Sequence, residues 1–353
     1  MPDNPTPGNH GANSYDVAVL GGGSFGTAMA KVLGENGHVV HFWMRDEAQA
    51  EEIRSTRINR RYMPAVTLEG DIQPTTDLAE AVRKAEIVLV AIPSKAFRSV
   101  IREHSSEFRD GQIVVSLTKG IEEHGFKLMS EILLEELPRC RSGVLSGPNL
   151  AGEIVNRELT ATVIAAKDPD VRRTVQELLG CEYFRVYANV DIYGVELAGA
   201  LKNIYAIVAG LASALNMGEN AKAMLITRGL AEMSRFAVSL GANPMTFMGL
   251  AGVGDLIATC TSSKSRNFRV GYAIGKGQKL EEAVQELGQV AEGIYTLKLV
   301  REKSEAIGIY MPLVRGLYEI LYESASINAV INSLMMAVQN SDVEFILPRT
   351  ITQ

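Results

Sequence analysis

Between Tyr15 and about Val190 the chain alternates short apolar, β-rich runs with segments of helical length, and this alternation limits the fold more than any other feature. The runs fall at 16–20, 39–43, 87–92, 113–117, 143–145, 161–165 and 183–186. Strands that are apolar throughout must be covered on both faces, and parallel neighbours need long crossovers, so the pattern reads as βαβ units. The expectation is an α/β fold whose N-terminal part is a Rossmann-type, doubly wound, mostly parallel sheet. After Val190 the pattern changes to long helical stretches at 191–215 and 218–240, then shorter ones near 265–275, 291–307, 312–322 and 327–336. Gly218, Gly241 and Asn243-Pro244 punctuate the two long stretches. An all-helical C-terminal domain is expected, packed on the first with a cleft between them.

The first strand, Val17 to Leu20, runs into Gly21-Gly22-Gly23-Ser24-Phe25-Gly26, and Thr27 to Leu33 has helical character ending at Gly34. A bare GxGxxG is weak, but strand, turn and helix together are the setting in which it binds a dinucleotide. Gly21 permits the tight turn, Gly23 lets the backbone approach a pyrophosphate, and Gly26 permits close helix–strand packing. Ser24 and Phe25 sit at the mouth. The second strand ends in Trp43-Met44-Arg45-Asp46. An acidic residue at that strand end would meet a free ribose 2′-hydroxyl; here Arg45 comes first, which accommodates a 2′-phosphate, the alternative being a solvated loop charge. The expected organisation is a disordered lead-in at 1–14, a dinucleotide-binding domain at 15–190, a helical substrate-binding and catalytic domain at 191–340, and a tail at 341–353.

Composition narrows the function classes. The formal net charge is −6 with both signs interspersed, which argues against a nucleic-acid or anionic-membrane surface. Cys140, Cys181 and Cys260 are odd in number and far apart, with no CxxC pair, so neither a disulfide framework nor a metal site is expected, and a cytoplasmic setting fits. The longest apolar stretch is broken by Lys202 and Asn203, and the N-terminus lacks an apolar signal core, so no membrane anchor is expected. A homodimer interface is one use for the apolar C-terminal helices that end near Met335 and Met336; plain core is the other.

All the histidines (His10, His38, His41, His104 and His124) precede residue 125, which excludes a histidine base carried by the helical half. Lysine or carboxylate must then move the proton. Lys202 interrupts an apolar helix, lying away from the stripe Leu197, Ala200, Leu201, Ile204, Val208 and Leu211 and beside Ala198, Gly199 and Ala206, whose small size leaves room for a ligand; a lysine snorkelling from a surface face is the competing reading. Lys119, in Ser116-Leu117-Thr118-Lys119-Gly120, lies just past a strand end, where open sheets bind ligands. Ser146-Gly147-Pro148-Asn149-Leu150-Ala151 follows another strand end. Gly252-Val253-Gly254-Asp255 leads to Ser262–Asn267, a basic, hydroxyl-rich helix start suited to a phosphate. Each segment alone is more often structural than functional.

Taken in order, GGGSFGTAMA, SLTKGIE, SGPNLAGE, ELAGALKNIYAI, GLAGVGDLIATCTSSKSRN and VAEGIYT resemble the bacterial-type NAD(P)-dependent sn-glycerol-3-phosphate dehydrogenases, from about Tyr15 to Asn332. The resemblance implies reversible hydride transfer between NAD(P)H and dihydroxyacetone phosphate, giving glycerol 3-phosphate for phospholipid synthesis. It places Ser24, Phe25, Arg45, Lys119, Ala151, Arg266, Val290 and Glu292 against the cofactor, with Tyr62 a further neighbour. Lys119, Gly147, Asn149, Lys202, Asp255, Ser265, Arg266 and Asn267 fall to the substrate, and Lys202 to proton exchange. Phe25 stands where Trp or Tyr is common and preserves stacking; Asn149 stands where Ser or Thr is usual and alters one hydrogen bond. Two lysines facing one pocket would repel, lowering the pKa of one, while Asp255 orients Lys202. Competing classes are another two-domain NAD(P)-dependent 2- or 3-hydroxyacid dehydrogenase and a non-catalytic redox-sensing regulator. The histidine-free helical half counts against the hydroxyacyl enzymes, and a regulator needs none of Lys119, Lys202 and Asp255 for proton transfer.

Overall fold

The computed structural model describes residues 14–336 except 124 and 288–290. In chain order the strands are β1 Asp16–Leu20, β2 Val39–Trp43, β3 Asp71–Thr75, β4 Ile87–Val90, β5 Ile113–Ser116, β6 Ile121–Glu122, β7 Lys127–Leu128, β8 Arg141–Ser146, β9 Thr160–Ala165 and β10 Phe184–Asn189. β6 and β7 form a separate antiparallel hairpin. The others make one sheet ordered β10-β9-β8-β5-β4-β1-β2-β3, parallel except where β8 meets β9. Strand order reverses between β1 and β4, so a crevice opens at their C-terminal ends, the usual ligand position in open α/β sheets. The mostly parallel sheet and the helical second half are as the sequence led one to expect.

β1, β4 and β5 are almost wholly buried, and their side chains divide between an apolar layer on one face (Val17, Val19, Leu89, Val115) and one on the other (Ala18, Leu20, Val88, Val114). Such burial contributes about 1.5–3 kcal/mol per large aliphatic side chain. β3 escaped the sequence reading because Asp71-Ile72-Gln73-Pro74 lacks an apolar run. As an edge strand it tolerates Pro74, whose missing N–H faces away from β2. The helix Ser24–Glu35 passes through Gly34 instead of ending there. Gly34 is needed for close approach: a Cβ there would lie 2.3 Å from the Glu69 carbonyl oxygen. His38 and His41 serve the scaffold, bonding the Leu178 carbonyl at 3.1 Å and the Asp16 carboxylate at 2.9 Å.

From Ile192 onward the described chain is helical, and Asp191 caps the long helix Ile192–Ala214 by accepting from the Gly194 N–H at 2.9 Å. This helix is buried on nearly every side, so the single-stripe reading of it was too narrow. Two glycines set its crossing with the helix Arg266–Gly275: a Cβ on Gly210 would lie 2.0 Å from the Phe268 carbonyl oxygen, and one on Gly271 1.9 Å from that of Ile207. Backbone therefore meets backbone, which holds the start of the second helix against the middle of the first.

The long helix is also tied to the sheet lobe. Glu196, 2% exposed, accepts from the Ser130 N–H at 3.0 Å and the Ser130 hydroxyl at 2.5 Å. Burial raises this carboxyl to about 7 even though those bonds oppose the shift. A folded-state pKa above the unfolded value favours the native state most at low pH, and that contribution is lost as pH rises through about 7. Glu196→Gln, neutral at every pH, should therefore raise the urea midpoint relative to wild type near pH ~8 and leave little difference near pH ~5. Equal differences at both values would contradict this.

Candidate active site

The glycine turn after β1 is built to receive backbone-bound anions. Gly21 has φ +130°, and a Cβ there would lie 2.4 Å from the Ala91 carbonyl oxygen; one on Gly26 would lie 1.9 Å from the Gly21 carbonyl oxygen. By contrast, a Cβ on Gly23 would meet nothing within 4 Å, so this position faces open space. The helix that follows has no side-chain cap and no acidic residue in its first turn, leaving its positive end for an anion. The turn is held from behind: the Gly22 carbonyl accepts from Gln49 Nε2 at 2.7 Å and Asn59 Nδ2 at 3.0 Å, and Asn59 Nδ2 also reaches Thr27 Oγ1 at 2.8 Å. Asn59 was not singled out in the sequence, because no local pattern joins it to a turn some 37 residues earlier. Ser24 and Phe25 are half-buried at the turn, with Phe25 and Tyr62 packed on the edge of the sheet core. Arg45 is exposed just beyond β2, while the Asp46 carboxylate caps the next helix, accepting from Ala48 N–H at 3.0 Å. The residues present fit a dinucleotide pyrophosphate at the turn, with a guanidinium rather than a free carboxylate where the adenosine ribose would lie.

About the crevice, three residues from distant segments converge. Asp255, 1% exposed, presents one carboxylate oxygen to each of two lysines: Oδ2 accepts from Lys119 Nζ at 2.8 Å, and Oδ1 accepts from Lys202 Nζ. Lys119 stands three residues past β5 and also donates to the Gly147 carbonyl at 2.9 Å. Lys202 lies in the long helix, 6% exposed, so the surface-snorkelling reading fails. Its second partner is Thr259 Oγ1 at 2.7 Å, and that hydroxyl donates in turn to the Asp255 carbonyl at 2.6 Å, one helical turn back. Thr259 was missed in the sequence, although its i,i+4 spacing from Asp255 is the signal that finds it. Burial pushes the Lys202 ammonium down to about 7; Asp255 opposes the shift and Lys119 reinforces it. The small residues beside Lys202 serve partly to admit these neighbours: a Cβ on Gly199 would lie 2.4 Å from Ser146 Oγ and 3.7 Å from Lys119 Cδ.

Asp255 itself begins the helix Asp255–Thr261, directly after a wide turn at Leu250–Gly254. Gly252 in that turn is a steric requirement, since a Cβ there would lie 2.3 Å from the Phe247 carbonyl oxygen.

The remaining candidates have unequal freedom. Gly147, at φ +151°, and Asn149 follow β8; Asn149 donates to Thr162 Oγ1 at 2.9 Å, while its buried Oδ1 has no hydrogen-bond partner. Ala151 opens the short helix Ala151–Val155. Ser265 caps the helix Arg266–Gly275, accepting from Phe268 N–H at 3.3 Å and keeping its own proton to donate. The Arg266 guanidinium, at that helix's first position and exposed, has no hydrogen-bond or ion-pair partner among the described residues. Asn267 is largely committed: Nδ2 donates to Asn203 Oδ1 at 3.0 Å, and Oδ1 accepts from Gly293 N–H at 3.0 Å. Glu292 starts the helix Glu292–Ala306. Val290 lies outside the described residues. Among those residues, no group of three or more His, Cys, Asp or Glu side chains is disposed to hold a metal ion.

The family model for the N-terminus of NAD-dependent glycerol-3-phosphate dehydrogenase matches residues 16–172, and that for its C-terminus matches residues 191–332. A glycerol-3-phosphate dehydrogenase [NAD(P)+] from Pseudomonas entomophila is 59% identical over 330 residues, covering 94% of this chain and 96% of that one. Its counterpart from Azotobacter vinelandii is 58% identical over 330 residues, covering 94% and 97%. The crystal structure of glycerol-3-phosphate dehydrogenase from Coxiella burnetii superimposes with a TM-score of 0.88 at 36% identity, covering 92% of this chain and 99% of that one. With both halves matched and the lysine–aspartate–lysine cluster spanning them, the chain belongs to the NAD-dependent glycerol-3-phosphate dehydrogenase family.

Proposed function

We propose that the protein transfers hydride reversibly between NAD(P)H and dihydroxyacetone phosphate, giving sn-glycerol 3-phosphate, with Lys202 exchanging the proton on the alcohol oxygen. The observation that carries this reading is the Asp255 carboxylate bridging Lys119 and Lys202, because two positive groups then converge where a carbonyl oxygen gains negative charge. A bound nicotinamide supplies the hydride. Lys202 has two of its three protons committed, to Asp255 and Thr259, which leaves one for the substrate oxygen. Its lowered pKa suits both directions near neutrality, as proton donor in reduction and acceptor in oxidation. Lys119, held by Gly147 and Asp255, contributes positive charge to the developing alkoxide. The unpaired Arg266, with the first-turn N–H groups of its helix and the Ser265 hydroxyl, binds the phosphate and so positions the reacting carbon through remote contacts. Gly147 and Asn149 line the substrate position, and the buried unpartnered Asn149 Oδ1 supports a polar ligand there. Asn267 supports the site more than it grips, given its bonds to Asn203 and Gly293.

For the cofactor, Gly21, Gly23, Ser24, Phe25, Gly26, Ala151 and Glu292 form the binding surface, and the exposed Arg45 beside the engaged Asp46 favours NADPH. Glycerol 3-phosphate made with NADPH suits phospholipid synthesis, in the cytoplasm. The long helix, the one among the described residues apolar enough for a membrane span, is 89% buried core. A homodimer through the last helix is supported by the exposure of Met335 and Met336, 65% and 87%. In place of a disulfide framework, all three cysteines are free.

The test is oxidation of NADPH, and separately NADH, on adding dihydroxyacetone phosphate. Lys202→Ala should keep cofactor affinity and lose about 10²–10⁴-fold in kcat; turnover near wild type would remove Lys202 from its role. Arg266→Ala should raise the KM for dihydroxyacetone phosphate about tenfold or more, as expected for a lost charged contact to phosphate. An unchanged KM would contradict the phosphate assignment.

A further inference from the structure

We propose that Ser94 is a positioning residue that sets cofactor affinity by docking Glu292 of the helical lobe onto the sheet lobe; this rests on the cofactor role given to Glu292 above. Ser94 begins the helix Ser94–Glu103, which leaves the crevice end of β4. Pro93, at the cap position, offers no side-chain bond, and the first turn carries no acidic residue, so the positive end of this ten-residue helix lacks a local partner. Glu292, 198 residues later, supplies one: its Oε2 accepts from the Ser94 hydroxyl at 2.9 Å. Burial raises the Glu292 carboxyl, while the Ser94 bonds and the charges of Arg266 and Lys95 oppose that shift.

Two further contacts place the bond where it affects the site. A Cβ on Gly120 would lie 2.5 Å from Ser94 Cβ and 3.6 Å from Glu292 Oε2, so the residue after Lys119 must be glycine for this docking to form. In the next part of the turn, Lys95 Nζ lies 3.2 Å from the ring centroid of Tyr295, a second bridge between the same pair of helices. Ser94 and Gly120 therefore pack together behind Lys119, while Glu292 faces Arg266 on the other side. Without the hydroxyl, Glu292 keeps only its bond to the Ser94 backbone and loses the side-chain bond that orients it, and the cofactor-facing surface loses its register across the crevice.

The experiment is a double-mutant cycle on the full-length protein with Ser94→Ala, Glu292→Gln and the pair, reading NADPH affinity from coenzyme fluorescence, with KM, kcat and melting temperature alongside. Ser94→Ala should raise the NADPH Kd and KM about tenfold, as for a lost hydrogen bond to a charged group, with kcat at saturation retained. In the Glu292→Gln background the same substitution should cost less than about twofold, because its effect passes through the carboxylate. Equal effects in both backgrounds overturn the proposal, as does an unchanged Kd accompanied by a lower melting temperature. Wild-type protein that binds NADPH but leaves dihydroxyacetone phosphate untouched would refute the substrate reading, while the binding cycle would still decide the role of Ser94.

Discussion

A single buried carboxylate joins the two parts of this molecule at the point where we propose that the chemistry takes place. Asp255 enters from a helix of the C-terminal half, Lys202 from the long helix and Lys119 from a strand end of the sheet, and each lysine holds its own carboxylate oxygen. Removing one member of a buried ion pair typically costs about 3–5 kcal/mol, since the remaining charge is left without compensation. Here the cost is doubled in kind, because loss of Asp255 would strand two positive charges. The same carboxylate fixes the direction in which each ammonium points, and it keeps Lys202 from losing its proton altogether in surroundings that burial alone makes hostile to charge.

Everything else in the fold can be understood as bringing those segments together. The strand-order reversal between β1 and β4 opens the crevice, and β5 and β8 end beside it with Lys119 and Gly147. Glycines at Gly199, Gly210 and Gly271 let backbones and lysine stems approach more closely than any Cβ allows, which is why the long helix can carry Lys202 inward and hold the Ser265–Asn267 helix start nearby. Glu196 and Glu292 then fasten the helices to the sheet by carboxylates that accept from serines, Ser130 and Ser94.

Much of this was legible in the sequence, where local physics speaks for itself. Buried strands such as Ile87–Val90 show as unbroken apolar runs, and the glycine turn shows as a strand that stops at Gly21. β3 did not, because an edge strand with Pro74 and two exposed polar residues carries no apolar run. Lys202 was legible as an anomaly in an apolar helix, yet the sequence could not say whether it pointed in or out; that depended on Asp255, a residue 53 positions away. Asn59, Thr259 and Ser94 were overlooked because their roles consist of tertiary hydrogen bonds. The side-chain amide of Asn267 is engaged by Asn203 and Gly293, which no local pattern could have told.

The central claim is that Asp255 tunes Lys202 as the proton-exchanging group, and the pH dependence of kcat/KM for dihydroxyacetone phosphate reduction tests it most directly. Reduction needs protonated Lys202, so the rate should fall as pH rises through about 7. The carboxylate opposes the downward shift, so Asp255→Asn should move that falling limb to lower pH as well as reducing its height. A limb that stays in place in Asp255→Asn, or survives in Lys202→Ala, would contradict the account.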